Sequence, residues 1–183
     1  AGAVVAVSAL VLSVGLSACG ADKKTEGAGP ASTTPTVVAS TDVWGSIAQA
    51  VAGDHAKVSS IITSASADPH SFEASPSDAA AITDASLVVF NGGGYDHWVD
   101  DILASHPNVA SIDAYKLLNT GALGEPSPAN EHVFYDLGTA KAVATSIADK
   151  LGQEDPAHAA DYKTNAANFN RSADAIEQTE KAI

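Results

Sequence analysis

Cysteine occurs once, as Cys19, and only nine basic residues stand against 22 acidic ones. Each shortage excludes something. A lone thiol cannot close an internal disulfide, and a buried catalytic thiol has no place at the edge of an apolar leader. A formal net charge of −13 argues against DNA or RNA as the main partner, because phosphate backbones are met by Lys and Arg. It implies a soluble, acidic surface that concentrates cations only slightly. The sequence also has no Gly-x-Gly-x-x-Gly, no Lys-Ser/Thr following the run Asn91-Gly92-Gly93-Gly94, and no His-Glu-x-x-His. The glycine run therefore reads as a strand-to-helix turn rather than a phosphate cradle.

Charge is absent from residues 1–18, where Val4, Val5, Val7, Leu10, Val11, Leu12, Val14 and Leu16 lead into Leu16-Ser17-Ala18-Cys19-Gly20. The run is short for a membrane span of roughly 20 residues, and it ends in the small residues a signal peptidase requires. It is expected to be an export signal whose charged n-region is missing. Its end resembles the lipobox of bacterial lipoproteins, which makes Cys19 the expected lipidation site and places the protein on the outer face of the cell membrane. Residues 19–35, rich in Gly, Ala, Ser, Thr and Pro, are expected to form a flexible tether. The missing start methionine and the helical run at 173–183 suggest the front part of a longer protein.

From residue 36 apolar runs alternate with helical patterns. Strands are expected at 36–40, 57–62, 87–90 and 109–112, and helices at 43–52, 76–85, 95–105 and 138–151. Continuous apolar strands between helices predict an α/β fold: a Rossmann-like lobe over 36–155, with a four-stranded parallel sheet covered on both faces. From Pro156 the helical pattern runs unbroken to the end of the chain. A helix of that length suggests the start of a long rod joining two lobes, over 156–183.

Ligand chemistry in such a sheet belongs at the carboxyl ends of the strands. Two histidines fall there, His70 in Asp68-Pro69-His70-Ser71-Phe72-Glu73 and His132 in Asn130-Glu131-His132-Val133-Phe134-Tyr135-Asp136. Neutral imidazole suits zinc and serves manganese, provided an acceptor fixes the other ring nitrogen. Asp68, Glu73, Glu131 and Asp136 are the candidates for that supporting role. By itself a loop histidine is more often solvated than ligating, and His55, His97, His106 and His158 are read in that way. Trp44 and Trp98 are expected to pack on the sheet or line the cleft rim.

These stretches, with Thr41-Asp42-Val43-Trp44 and Phe90-Asn91-Gly92-Gly93-Gly94, resemble the metal-binding subunits of bacterial zinc and manganese ABC importers. Many members carry Pro before the second histidine and Trp two places after it, where this chain has Glu131 and Phe134. The resemblance implies two similar lobes joined by a long helix, with Zn2+ or Mn2+ held in the cleft by His70 and His132. A third His or Glu and a carboxylate would come from a second lobe. It further implies a monomer that passes its ion to a membrane permease. The absence of histidine between 113 and 131 leans towards manganese or a generalist zinc site. A surface adhesin is the alternative the resemblance also carries. An exported metallohydrolase with Glu73 as general base is the enzymatic alternative.

Overall fold

Strand β1 (Thr36–Thr41) is paired on both sides, with β2 (Lys57–Ile62) and with β3 (Leu87–Phe90), and β3 carries β4 (Ser111–Asp113) on its far edge. Every pair is parallel, in the order β2-β1-β3-β4, with Val37 opposite Val58 and Leu87, and Val89 opposite Ile112. This is the Rossmann-like sheet that the alternation predicts. The computed structural model of the chain describes residues 2, 34–118 and 130–182. All of these but Gly2 belong to one unit, Ser32–Ile183. The expected leader, Cys19 and most of the expected tether lie outside the described residues.

The two-residue period of the strands assigns the core. Val37, Ala39, Leu87, Val89 and Ile112 point to one face and meet α1 (Asp42–Ala52), α4 (Leu137–Glu154) and α5 (Ala159–Glu180). Val38, Val88 and Phe90 point to the other and meet Ile82 of α2 (Pro76–Thr83) and Trp98 and Val99 of α3 (His97–Ala104). With both faces covered, the centre of β1 (Val37, Val38, Ala39) and the whole of β3 (Leu87–Phe90) are apolar on successive positions instead of alternating. Each fully buried Val or Leu contributes roughly 1.5–3 kcal/mol. Edge strand β2 instead exposes Lys57 and Ser59, polar side chains that discourage further strand pairing. Helix α1 rests so closely on β2 that a Cβ at Gly45 would lie 2.0 Å from Ser60 Oγ. Trp44 is fully buried in the first of these cores and Trp98 in the second, so both pack on the sheet rather than at a rim.

Two elements differ from expectation. The fourth strand sits at Ser111–Asp113, because 106–109 close a turn through the His106 and Val109 amides. The unbroken helix from Pro156 is instead a 3₁₀ turn, Pro156–His158, followed by the 22-residue α5. Asp155 before the proline has φ −130° and ψ 78°, since the proline ring excludes the helical region for the residue it follows.

Helix α5 then lies along its own lobe. Lys141 Nζ of α4 reaches Asp174 Oδ1 at 2.7 Å and Glu177 Oε1 at 2.8 Å, and these carboxylates push its pKa up to about 12. The buried Tyr162 hydroxyl donates to Asp155 Oδ2 at 2.9 Å and lies 3.2 Å from the His55 carbonyl. Tyr162→Phe keeps the ring and removes this charge-assisted bond. The expected cost is about 1.5–3 kcal/mol, read as a lower urea midpoint at unchanged m-value.

Candidate metal centre

The loop after β2 is fixed at both ends by its own side chains. Asp68 caps the 3₁₀ turn Pro69–Ser71: its Oδ1 accepts from the His70 backbone N–H at 3.1 Å and from the His70 ring Nδ1 at 3.0 Å. Pro69 presets the turn. At the far end Ser75 and Asp78 form a reciprocal capping box on α2. The loop before α4 repeats the first device. Asn130 Oδ1 accepts from the His132 backbone N–H at 3.0 Å and from its ring Nδ1 at 2.6 Å. Carboxylate and amide oxygens only accept, so Nδ1 is the donor in both rings, and in a neutral imidazole that arrangement leaves the free electron pair on Nε2. The bond from the His70 ring is the main reason that the Asp68 carboxyl titrates below its ordinary value.

The two rings face a common space. Their centroids are 6.3 Å apart, and Tyr95, from the turn after β3, meets both edge-on, at 4.9 Å from His70 and 5.4 Å from His132. Phe134 backs His132 at 5.7 Å. Two imidazoles bound through Nε2 to one tetrahedral ion would have centroids roughly 5.3 Å apart, given metal–nitrogen bonds of about 2.1 Å. The observed separation is about 1 Å longer than that. Glu131 stands beside them, with Oε1 3.5 Å from His70 Nε2 and 3.7 Å from His132 Nδ1. Its carboxyl is held below its ordinary value first by its own backbone N–H, with His132 and His70 adding to the effect. Burial raises the Tyr95 phenol. Among the described residues no group of three or more His, Cys, Asp or Glu is already gathered to hold a metal.

The turn after β3 locks the His132 loop in place. Asp96, fully buried, accepts the Asn91 N–H at 2.7 Å and the Gly92 N–H at 2.8 Å, and burial raises its carboxyl pKa. Asn91, also fully buried, donates through Nδ2 to the Glu131 carbonyl at 2.7 Å, a link across 40 residues. Gly92 has φ +72°, and a Cβ there would lie 2.0 Å from Asp113 Oδ1. The glycine run is thus a turn, as its sequence suggests, demanded by a left-handed backbone and by the approach of β4.

The structure brings together His70, His132, Asp68 and Glu131. Glu73 is exposed, with no hydrogen bond or ion pair among the described residues, and Asp136 instead caps α4 through Thr139 N and Oγ1 at 2.7 and 2.6 Å. Asn130, Tyr95, Asn91 and Asp96 escaped the sequence reading. Asn130 could have been found, because Asx-x-His occurs at both sites. The other three act through contacts that no local pattern announces. His97 is exposed and His106 hydrogen-bonds at most its own helix end. His55 and His158 are not simply solvated. Their rings stack at 3.9 Å, one paired with Asp161 and the other with Asp155, at the opposite end of the sheet from His70.

The family model ZnuA, zinc-uptake complex component A periplasmic, matches residues 37–183. The manganese-binding lipoprotein MntA of Halalkalibacterium halodurans is 25% identical over 142 residues, 78% of this chain and 47% of the relative. The iron-binding protein YfeA of Yersinia pestis is 30% identical over 126 residues, 67% of this chain and 40% of the relative. Among solved structures, the laminin binding protein Lmb of Streptococcus agalactiae superposes with a TM-score of 0.67 at 31% identity, over 79% of this chain and 54% of that chain. The chain spans about half the length of the curated relatives it matches. The family match takes in all four strands, all five helices and both histidine loops, and the chain belongs to the zinc-uptake complex component A family.

Proposed function

We propose that this lobe captures a divalent transition metal, Zn2+ or Mn2+, outside the cell and that the protein hands the ion to the membrane permease of an ABC importer. The observation that carries the reading is the pair of imidazoles with ring centroids 6.3 Å apart, each with its Nδ1 bonded to the Asx two residues ahead, Asp68 or Asn130. Two nitrogens make half of a four-ligand site, so the remaining ligands belong to residues outside the described lobe. Capture involves no turnover: the ion is cargo. Among the described residues no helix is long and apolar enough to cross a membrane. Attachment is assigned to a lipid on Cys19, with the protein on the outer face of the cell membrane as a monomer.

A second reading, a surface adhesin, is favoured by the likeness to Lmb, described as a bifunctional protein with adhesin and metal transporting activity. Binding of the full-length protein to immobilised laminin, with and without Zn2+, tests it.

Metal capture is tested by thermal melting of the full-length protein with Zn2+, Mn2+ or Mg2+. A ligand at 100 times its Kd that binds only the folded state stabilises by about 2.7 kcal/mol. That is a rise of roughly 5–10 °C in Tm for 150–250 residues, and somewhat less for a longer chain. Zn2+ or Mn2+ is expected to give it and Mg2+ is not, and equal curves with all three would end the proposal.

A further inference from the structure

Each imidazole is held at one edge. The bond between His70 Nδ1 and Asp68 and the bond between His132 Nδ1 and Asn130 leave the ring planes free to swing about those contacts, in side chains that are partly exposed. A second contact, out of line with the first, is needed to set the tilt, and Tyr95 supplies one to both rings. Its ring meets His70 at 4.9 Å and 78° and His132 at 5.4 Å and 68°, in the edge-to-face range that aromatic pairs prefer. With the imidazoles 6.3 Å apart, the three centroids form a nearly equilateral triangle. Tyr95 therefore stands beside the pair and not in the space between them. Phe134 packs on the same ring at 5.5 Å.

The backbone beneath this ring is pinned. The Tyr95 N–H donates to the Gly92 carbonyl at 3.1 Å, and the next residue is the buried Asp96, whose carboxylate accepts the Asn91 and Gly92 N–H groups. Among the described residues the phenol oxygen makes no hydrogen bond, so what this residue offers the pair is its ring. We propose that Tyr95 is a positioning residue for metal capture, whose ring sets the spacing and tilt of the two imidazoles before the ion arrives. The inference rests on the capture reading above and adds to it a residue that does not touch the ion. A side chain that must be ordered on binding costs affinity, and one already held in its bound orientation does not. Because the same imidazoles serve either metal, the effect falls on Zn2+ and Mn2+ alike.

Titrations of the full-length protein with each ion, beside metal-free melting, test the role. Tyr95→Leu removes the flat ring and is expected to weaken both ions about tenfold, with the metal-free melting curve little changed. Tyr95→Phe keeps the ring and is expected to stay within about threefold of wild type. Tyr95→Met, apolar and without a ring, replaces the Leu variant should that one melt early. Carbon-13 relaxation of the His70 and His132 rings in the metal-free protein reads the positioning directly: ring motion should increase in Tyr95→Leu and not in Tyr95→Phe. Unchanged ring motion overturns the inference, as does unchanged or tighter binding by Tyr95→Leu, the result expected of a plug. A loss in Tyr95→Phe as large as in Tyr95→Leu also overturns it, because the phenol oxygen would then be the acting group. If His70→Ala and His132→Ala lose the metal while Tyr95→Leu keeps it, only the role of Tyr95 fails. If the unaltered protein binds neither ion, the capture reading itself fails.

Discussion

His70→Ala and His132→Ala are each expected to lower the affinity for Zn2+ or Mn2+ at least about a hundredfold, judging from the 10–100-fold cost of losing mere supporting groups around a metal. The double variant should be little worse than either single one. A lone imidazole cannot hold the ion, so the second removal has little left to take away, and the free energies will not add. Neither change should unfold the lobe. The side chains are 43% and 39% exposed, and surface substitutions of this kind usually fall within about 0.5 kcal/mol. Isothermal titration alongside metal-free melting distinguishes the outcomes: full metal binding by both single variants would show that the rings do not share an ion. Asp68→Ala and Asn130→Ala form the graded companions. Each frees Nδ1 and leaves Nε2 in place, so a loss of roughly 10–100-fold is expected, smaller than that of the histidine itself.

The largest effect on stability is expected at Asp96. Asp96→Ala strands two buried N–H groups, those of Asn91 and Gly92, and each unsatisfied donor costs about 1–3 kcal/mol. A total near 3–5 kcal/mol is expected, a large part of the stability of an ordinary domain, read as a fall in the urea midpoint. Asp96→Asn keeps one acceptor oxygen and turns a donor towards the other N–H, so it should lie between wild type and Ala. The pH dependence carries a sign. Burial raises the Asp96 carboxyl in the folded state, so in this window the folded protein binds more protons than the unfolded chain. Its contribution is fully present below the ordinary value of 3.8 and is lost as pH rises through the raised folded value. The difference in stability between wild type and Asp96→Asn should therefore shift in favour of the wild type as pH falls through that window. A difference that stays flat with pH would mean that the carboxyl titrates as it does in water. Because Asp96 holds the turn that holds Asn91, and Asn91 holds the His132 loop, surviving Asp96→Ala protein should also bind metal more weakly.

Much of the fold was legible because its signals are local. The apolar residues Val37, Val38 and Ala39 within the expected strand 36–40 and the run at 87–90 announce strands covered on both faces, Ser75-Pro76-Ser77-Asp78 spells a helix start, and Pro156 marks a break whose force the helical periodicity on either side concealed. His70 and His132 were legible as ligand candidates from their place after strands. Their holders were only half legible: Asp68 was named, whereas Asn130, the same device two residues ahead of the second histidine, was passed over in favour of its neighbour Glu131.

Periodicity, capping and turn chemistry act within a few residues, so the sequence alone determined the parallel α/β lobe, its strands and the loops that carry the two histidines. Tertiary structure decided what those imidazoles meet. The order β2-β1-β3-β4 puts the loops after β2, β3 and β4 along one sheet edge. There Tyr95 touches both rings, Asn91 grips the Glu131 carbonyl 40 residues away, and Glu131 turns towards His70. Such meetings follow from which strands pair and how the crossovers pack, sums of many weak burial energies over the whole lobe, and no window of neighbouring residues contains them.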